Sequence, residues 1–149
     1  MRKSSVVSPI NVIDASLAMR IVLPSPTAPA AAQLFAEWRR AEARVLAPPL
    51  WLAECVSTVR TSVYAGAISA ARGRTAIDEI LDLEVEVVPT DAGQCRAAFD
   101  WAEKLGQSKA YDGFYLALAE TSRAPFWTAD RRLANAARQL ALTWVHSVG

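Results

Sequence analysis

The sequence predicts an α/β domain with a mostly parallel sheet, on three observations. Short runs rich in Val and Ile alternate with longer stretches of helical character, the pattern of chained βαβ units. Proline and glycine punctuate those segments rather than interrupting them. The 149 residues are 52% hydrophobic and 21% charged, which suits one domain with a real core and excludes disorder as the main state.

The elements follow in order. Ile10, Asn11, Val12 and Ile13 read as a first strand, and the prolines within 24–29 form a breaker. Residues 30–43, rich in Ala, Glu, Arg and Gln, predict a helix, and 44–47 predict a second strand closed by Pro48 and Pro49. Proline suits the first turn of the next helix, 50–65. Its core stripe is read as Leu52, Val56, Val59 and Val63. A helix over 69–82 follows Gly66, and 85–88 alternates valine with glutamate as a half-exposed edge strand does. Residues 91–105 are helical up to Gly106, and Ser108 is the expected cap of a helix over 109–122. Residues 126–128 predict a strand, 131–140 a helix and 142–145 a last strand. The whole of 1–149 is expected to be one domain, with 1–9 as a flexible N-terminal extension.

Composition narrows the function. Sixteen Lys and Arg against fifteen Asp and Glu give a net charge of +1, which names no partner. Cys55 and Cys95 belong to no CxxC pair, and His146 is the sole histidine, so a zinc finger or ribbon is excluded. Two buried free thiols are the expected state. The basic start is not followed by a signal-length apolar run, and no apolar stretch approaches membrane-spanning length. No membrane association and a cytoplasmic location are therefore expected.

In a parallel sheet the ligand site lies beyond the carboxyl ends of the strands. The first strand runs into Asp14, Ala15 and Ser16, and the fourth into Thr128, Ala129 and Asp130. Two strands thus bring an aspartate to one edge. Each also suits the N-cap of the following helix, and a capping carboxylate keeps an oxygen for other work. Asp112 shares a helix face with Tyr115, Leu116 and Ala119. A carboxylate pointing inward there must be paired, hydrogen-bonded or metal-bound, although an acid near a helix start also favours the dipole. Glu54 lies opposite the stripe assigned to its helix, beside Ser57, Thr58 and Thr61. That face suits either solvent or the wall of a cleft. Together the four acids fit hard divalent cations, which take oxygen ligands and assist phosphodiester hydrolysis. No Ser/His/Asp or Cys/His set competes.

These blocks, in this order, resemble the PIN-domain ribonucleases and, within them, the VapC-like toxins of toxin–antitoxin pairs. The resemblance spans about residues 10–147. It rests on the strand closing on Asp14, Ala15 and Ser16, the Glu54 helix, the run from Tyr111 to Ala119, and Thr128 to Leu133. It implies a three-layer α/β/α sandwich with a short, mostly parallel central sheet, and Mg²⁺- or Mn²⁺-dependent endonucleolytic cleavage of RNA with one or two ions per site. Asp14, Glu54, Asp112 and Asp130 would be the acidic quartet, Asp14 and Asp112 its main metal ligands, and Ser16 and Thr128 hydroxyls that orient carboxylates or water. It also implies an RNA substrate such as tRNA or rRNA, a cognate antitoxin, and a homodimer or toxin–antitoxin hetero-oligomer. Gly113 departs from the family pattern, where alanine is more usual. Arg72, Arg74, Lys109, Arg131 and Arg132 are candidate phosphate contacts, or else solvated and ion-paired side chains. An inactive PIN module that binds RNA or protein is the alternative. A dehalogenase-like phosphatase lacks its Asp-x-Asp here, and a receiver domain lacks its adjacent early acids and late lysine.

Overall fold

The computed structural model describes residues 8–149; most of the expected N-terminal extension lies outside the described residues. Pro9 is already in place, its carbonyl accepting from Arg44 N at 2.7 Å. The elements are β1 (Ile10–Ile13), α1 (Ala15–Val22), α2 (Ala28–Arg40), β2 (Arg44–Ala47), α3 (Leu50–Tyr64) and α4 (Ala70–Leu81). They continue with β3 (Glu86–Val87), α5 (Ala92–Leu105), α6 (Tyr111–Ser122), β4 (Phe126–Thr128), α7 (Arg131–Gln139) and β5 (Val145–Ser147).

The five strands form one sheet in the order β3-β2-β1-β4-β5, and every pairing is parallel. Strand alternation assigns its two faces. Phe126 stacks on Tyr115 of α6 at 5.9 Å, and its neighbour Trp127 meets Trp38 of α2 edge-on at 5.6 Å. The α5–α6 pair thus covers one face and the group of α1 to α4 the other, which makes the three-layer α/β/α sandwich. The chain runs β1, β2, β3 outward on one side, then crosses to β4 and β5 on the other. The switch point lies between β1 and β4, where a crevice opens beyond the strand ends. No helix among the described residues is long and apolar enough to cross a membrane.

Local chemistry explains the element ends. Asp91 and Gln94 form a reciprocal capping box at the start of α5, and Gly106 closes that helix at φ 67°. Ser69 caps α4 by accepting from Arg72 N. Several expectations shift. The sequence implies α1 only as the helix that Asp14 would cap; the structure forms it over eight residues, with Asp14 at its N-cap. Ala110, not Ser108, stands at the N-cap of α6 and offers no capping side chain. The last strand begins at Val145, three residues later than expected. Leu142 N is taken by Ala137 O and Val145 N by Leu142 O, so the turn closing α7 consumes the residues read as strand. Cys55 is buried but Cys95 is exposed, and both are free.

The largest correction is the face of α3. Leu52 and Val56 are 36% and 47% exposed, while Trp51, Cys55 and Val59 are buried. The helix is turned by about 70° from that stripe, with Val59 common to both faces. Burying Trp51 outweighs burying Leu52, since the indole is larger and its N–H needs a partner. It finds one in the Asp14 carbonyl at 3.2 Å.

Gly113 has a packing reason. A Cβ there would collide with the backbone carbonyl of Ala98 on α5, so glycine is what lets α5 and α6 approach so closely. At Gly73 a Cβ would meet a side-chain methyl of Val63 at 2.6 Å, and that methyl can rotate away. Gly113→Ala should therefore destabilise the protein by about 1–3 kcal/mol, despite the better helix propensity of alanine. Gly73→Ala should cost clearly less. Urea denaturation of both variants checks this; equal effects would show that the α5–α6 contact yields as readily as a side chain.

Candidate active site

Asp14 closes β1 and caps α1, accepting from Leu17 N at 3.1 Å. Its carboxylate is 5% exposed. Ser16 Oγ donates to Oδ1 at 2.6 Å, and Thr128 Oγ1 donates to Oδ2 at 2.5 Å. The two hydroxyls lie 3.2 Å apart. They also receive the backbone beyond β4: Ala129 N donates to Ser16 Oγ and Asp130 N to Thr128 Oγ1, each at 2.9 Å. One carboxylate thus ties the ends of β1 and β4 together across the switch point. Asp130 caps α7, accepting from Arg132 N and Leu133 N, as its place after the strand predicts.

The other acids come from the helices. Asp112 stands in the first turn of α6, half-buried, and Gln107 Nε2 donates to its Oδ2 at 2.7 Å. Glu54 is half-buried because α3 turns on Trp51, three residues earlier; it does not lie opposite the core. The buried Tyr115 donates its hydroxyl to Glu54 Oε1 at 2.5 Å. Glu54 and Asp112 line one hollow of about 400 Å³ with Gln107 and Lys109. Ser16 and Asp130 line a neighbouring one of about 840 Å³.

Burial dominates the electrostatics. It pushes Asp14 up from 3.8 to about 6 against the three hydrogen bonds that favour its charge, and the Asp112 charge adds to the rise. Burial also raises Glu54 and Asp112; the Asp112 charge raises Glu54 further, and the Asp130 charge raises Asp112. Asp112 is therefore the group through which the four acids feel one another. The ion pairs among the described residues, Arg44–Glu86 and Arg72–Glu79, leave all four without a basic partner. Burial lifts the Cys55 thiol to about 12, which removes it as a nucleophile.

The arrangement offers only hard oxygen donors, which suits Mg²⁺ or Mn²⁺ and not a thiophilic metal. Among the described residues no three Asp, Glu, His or Cys side chains already converge as an ion cage; each carboxylate is engaged by its own neighbour. Tyr115 and Gln107 are the positioning groups that sequence reasoning did not single out. A tyrosine on an apolar helix face needs a partner for its hydroxyl, and that was the available signal. Gln107 carried none. Arg72 reaches the Val22 carbonyl and Glu79, so it is a structural tie and not a free phosphate contact.

The parallel α/β architecture sets Asp14 and Asp130 at the ends of two adjacent strands and Glu54 and Asp112 on helices beside them, an arrangement found in more than one class of α/β domain. More particularly, the PIN domain pattern matches residues 12–139, and the chain belongs to the PIN domain family. No curated protein matches the sequence. Among solved structures, PAE2754 from Pyrobaculum aerophilum is similar over 98% of this chain and 88% of that one, with TM-score 0.69 and 16% identity. VapC20 of Mycobacterium tuberculosis, described as a sarcin–ricin loop cleaving toxin, is similar over 85% of this chain and 94% of its own (TM-score 0.65, 15% identity). VapBC2 from Rickettsia felis, bound to a DNA fragment from its promoter, gives 94% and 99% (TM-score 0.64, 12% identity).

The raised Asp14 sets a pH dependence. The folded chain holds that proton more tightly than the unfolded chain, so stability falls as pH rises from about 4 to 6 and stays low above. The full effect is on the order of 3 kcal/mol from this group. In chelator, the thermal midpoint should climb as pH is lowered from about 6.5 to 4.5, and Asp14→Asn should flatten much of that slope. A midpoint that falls over the same interval in the wild type would contradict the burial of an ionised Asp14.

Proposed function

We propose that the chain is a divalent-metal-dependent endoribonuclease and the toxin half of a toxin–antitoxin pair. The observation that carries this reading is the acids around the β1/β4 switch point: the Asp112 charge raises Asp14 and Glu54, the Asp130 charge raises Asp112, and none of the four forms an ion pair among the described residues. Such a set is costly to hold without a cation, and a domain that only bound a partner would gain nothing from it. Membership of the PIN family supports nuclease chemistry. The likeness to VapC20 and to VapBC2 supports the toxin role, an RNA substrate such as rRNA or tRNA, and an antitoxin partner that assembles with it, alone or on a homodimer.

In this reading Asp14 and Asp112 are the main ligands of Mg²⁺ or Mn²⁺, and Glu54 and Asp130 complete the shell directly or through water. A cation held there supplies an activated water and neutralises phosphate charge. The chain's own residues supply the order. Ser16 and Leu17 N occupy Oδ1 of Asp14, while Thr128 takes one lone pair of Oδ2 and leaves the other for a ligand. Tyr115 holds Glu54 by one oxygen and frees the other. Gln107 does the same for Asp112. Carboxylates positioned in this way are pre-organised to orient a water toward a phosphodiester.

Incubation with total RNA and with tRNA, in Mn²⁺, Mg²⁺ or EDTA, tests the reading, with Asp112→Asn from the same preparation as control. Discrete fragments should appear with the wild type and metal alone, and the control should lose at least about 100-fold of that activity. Mn²⁺ should also raise the thermal midpoint of the wild type and do so less in Asp112→Asn. A folded, antitoxin-free wild type that neither cleaves RNA nor responds to metal would turn the assignment toward a binding module.

A further inference from the structure

We propose that the hollow beside Asp130 is the channel for the RNA backbone leaving the cleavage site, and that Arg20, Arg131 and Arg138 hold its phosphates. The inference rests on the ribonuclease reading and adds to it the path of the strand. The hollow, at about 840 Å³, is the more spacious of the two that adjoin the acids. Its inner wall is Ser16 and Asp130, so it opens directly from the switch point.

Three arginines from separate places in the sequence converge on it: Arg20 from α1, and Arg131 and Arg138 from the two ends of α7. None forms an ion pair with a carboxylate among the described residues. Arg20 is steered by a hydrogen bond from its Nη1 to Ser25 Oγ at 3.2 Å, and Ser25 is in turn in contact with Thr27 Oγ1 at 3.1 Å. That side chain is pre-set, and Arg131 and Arg138, both exposed, line the same hollow and form no ion pair among the described residues. Guanidinium groups match phosphate oxygens in geometry as well as charge. The hollow on the other flank has one basic residue, Lys109, beside Glu54 and Asp112, whereas this one has three arginines beside Asp130. Positions 131 and 138 are the pair that seven-residue helical spacing aligns on one side of α7; Arg132, adjacent in sequence, does not line the channel.

The test separates strand binding from chemistry. In an Asp112→Asn background, so that RNA stays intact, anisotropy of a fluorescein-labelled single-stranded RNA of about 12 nucleotides is titrated over a range of salt. Arg131→Ala and Arg138→Ala should each weaken binding about three- to fivefold and lower the salt slope by about 0.7. Arg20→Ala should do the same where it folds, and the two surface variants carry the test if it does not. Arg60→Ala and Arg96→Ala, which remove equal charge on α3 and α5, should leave affinity unchanged. In the otherwise wild-type chain, Arg131→Ala and Arg138→Ala should raise KM for cleavage with kcat retained.

Cleavage and RNA binding that persist unaltered in the channel variants would overturn the channel and leave the ribonuclease intact. An equal loss in the Arg60 and Arg96 variants would reduce the effect to net charge and overturn it too. A glutamate-rich peptide captured by these arginines, with RNA affinity unmoved, would make the hollow a protein-docking site instead. A wild type that neither binds nor cuts RNA would overturn both readings together.

Discussion

The Asp14 carboxylate is the point on which the rest of this structure hangs. It is buried where β1 meets β4, and it accepts from a hydroxyl on each side of the switch point and from the first turn of α1. The same two hydroxyls receive the backbone of Ala129 and Asp130. The path of the chain into α7, and so the position of Asp130, depends on this junction. Burying a charge without a cation is costly, and hydrogen bonds offset only part of it; here burial still lifts the group to about 6. The junction therefore takes up a proton more readily than an exposed aspartate does.

The helices contribute to the site through apolar anchors. Trp51 locks α3 against the end of β1 through the Asp14 carbonyl, and this turns Glu54 toward the crevice. Tyr115 packs on Phe126 with its ring and holds Glu54 with its hydroxyl. One side chain therefore serves the core and the acid at once. Gly113 allows α5 to lie against α6, and the loop between them then delivers Gln107 to Asp112. Glu54 is thus positioned through two apolar anchors, Trp51 and Tyr115, whereas Asp14 is positioned by hydrogen bonds.

Much of the fold was legible in the order of its segments. Apolar runs separated by helical stretches, with proline and glycine at the joints, fix the βαβ alternation, and strand ends that carry Asp14 and Asp130 are visible without coordinates. The edge strand at 86–87 could be read from its alternation. The face of α3 could not. Leu52, Val56, Val59 and Val63 and the observed Trp51, Cys55 and Val59 are both helical stripes, and local period cannot rank them. The last strand slipped because the closing turn of α7 uses hydrogen bonds that a strand assignment leaves free.

The sequence by itself determined the alternating architecture, the family, and which acids stand at strand and helix starts, because these depend on residue type and local spacing. The tertiary structure alone decided that Glu54 faces the crevice, that Tyr115 and Gln107 hold the acids, and that Gly113 is a packing requirement. It alone brought Arg20 beside Arg131 and Arg138. The reason is physical: rotation of a helix and convergence of distant side chains are set by which large group wins the core, and that competition is between segments far apart in the chain.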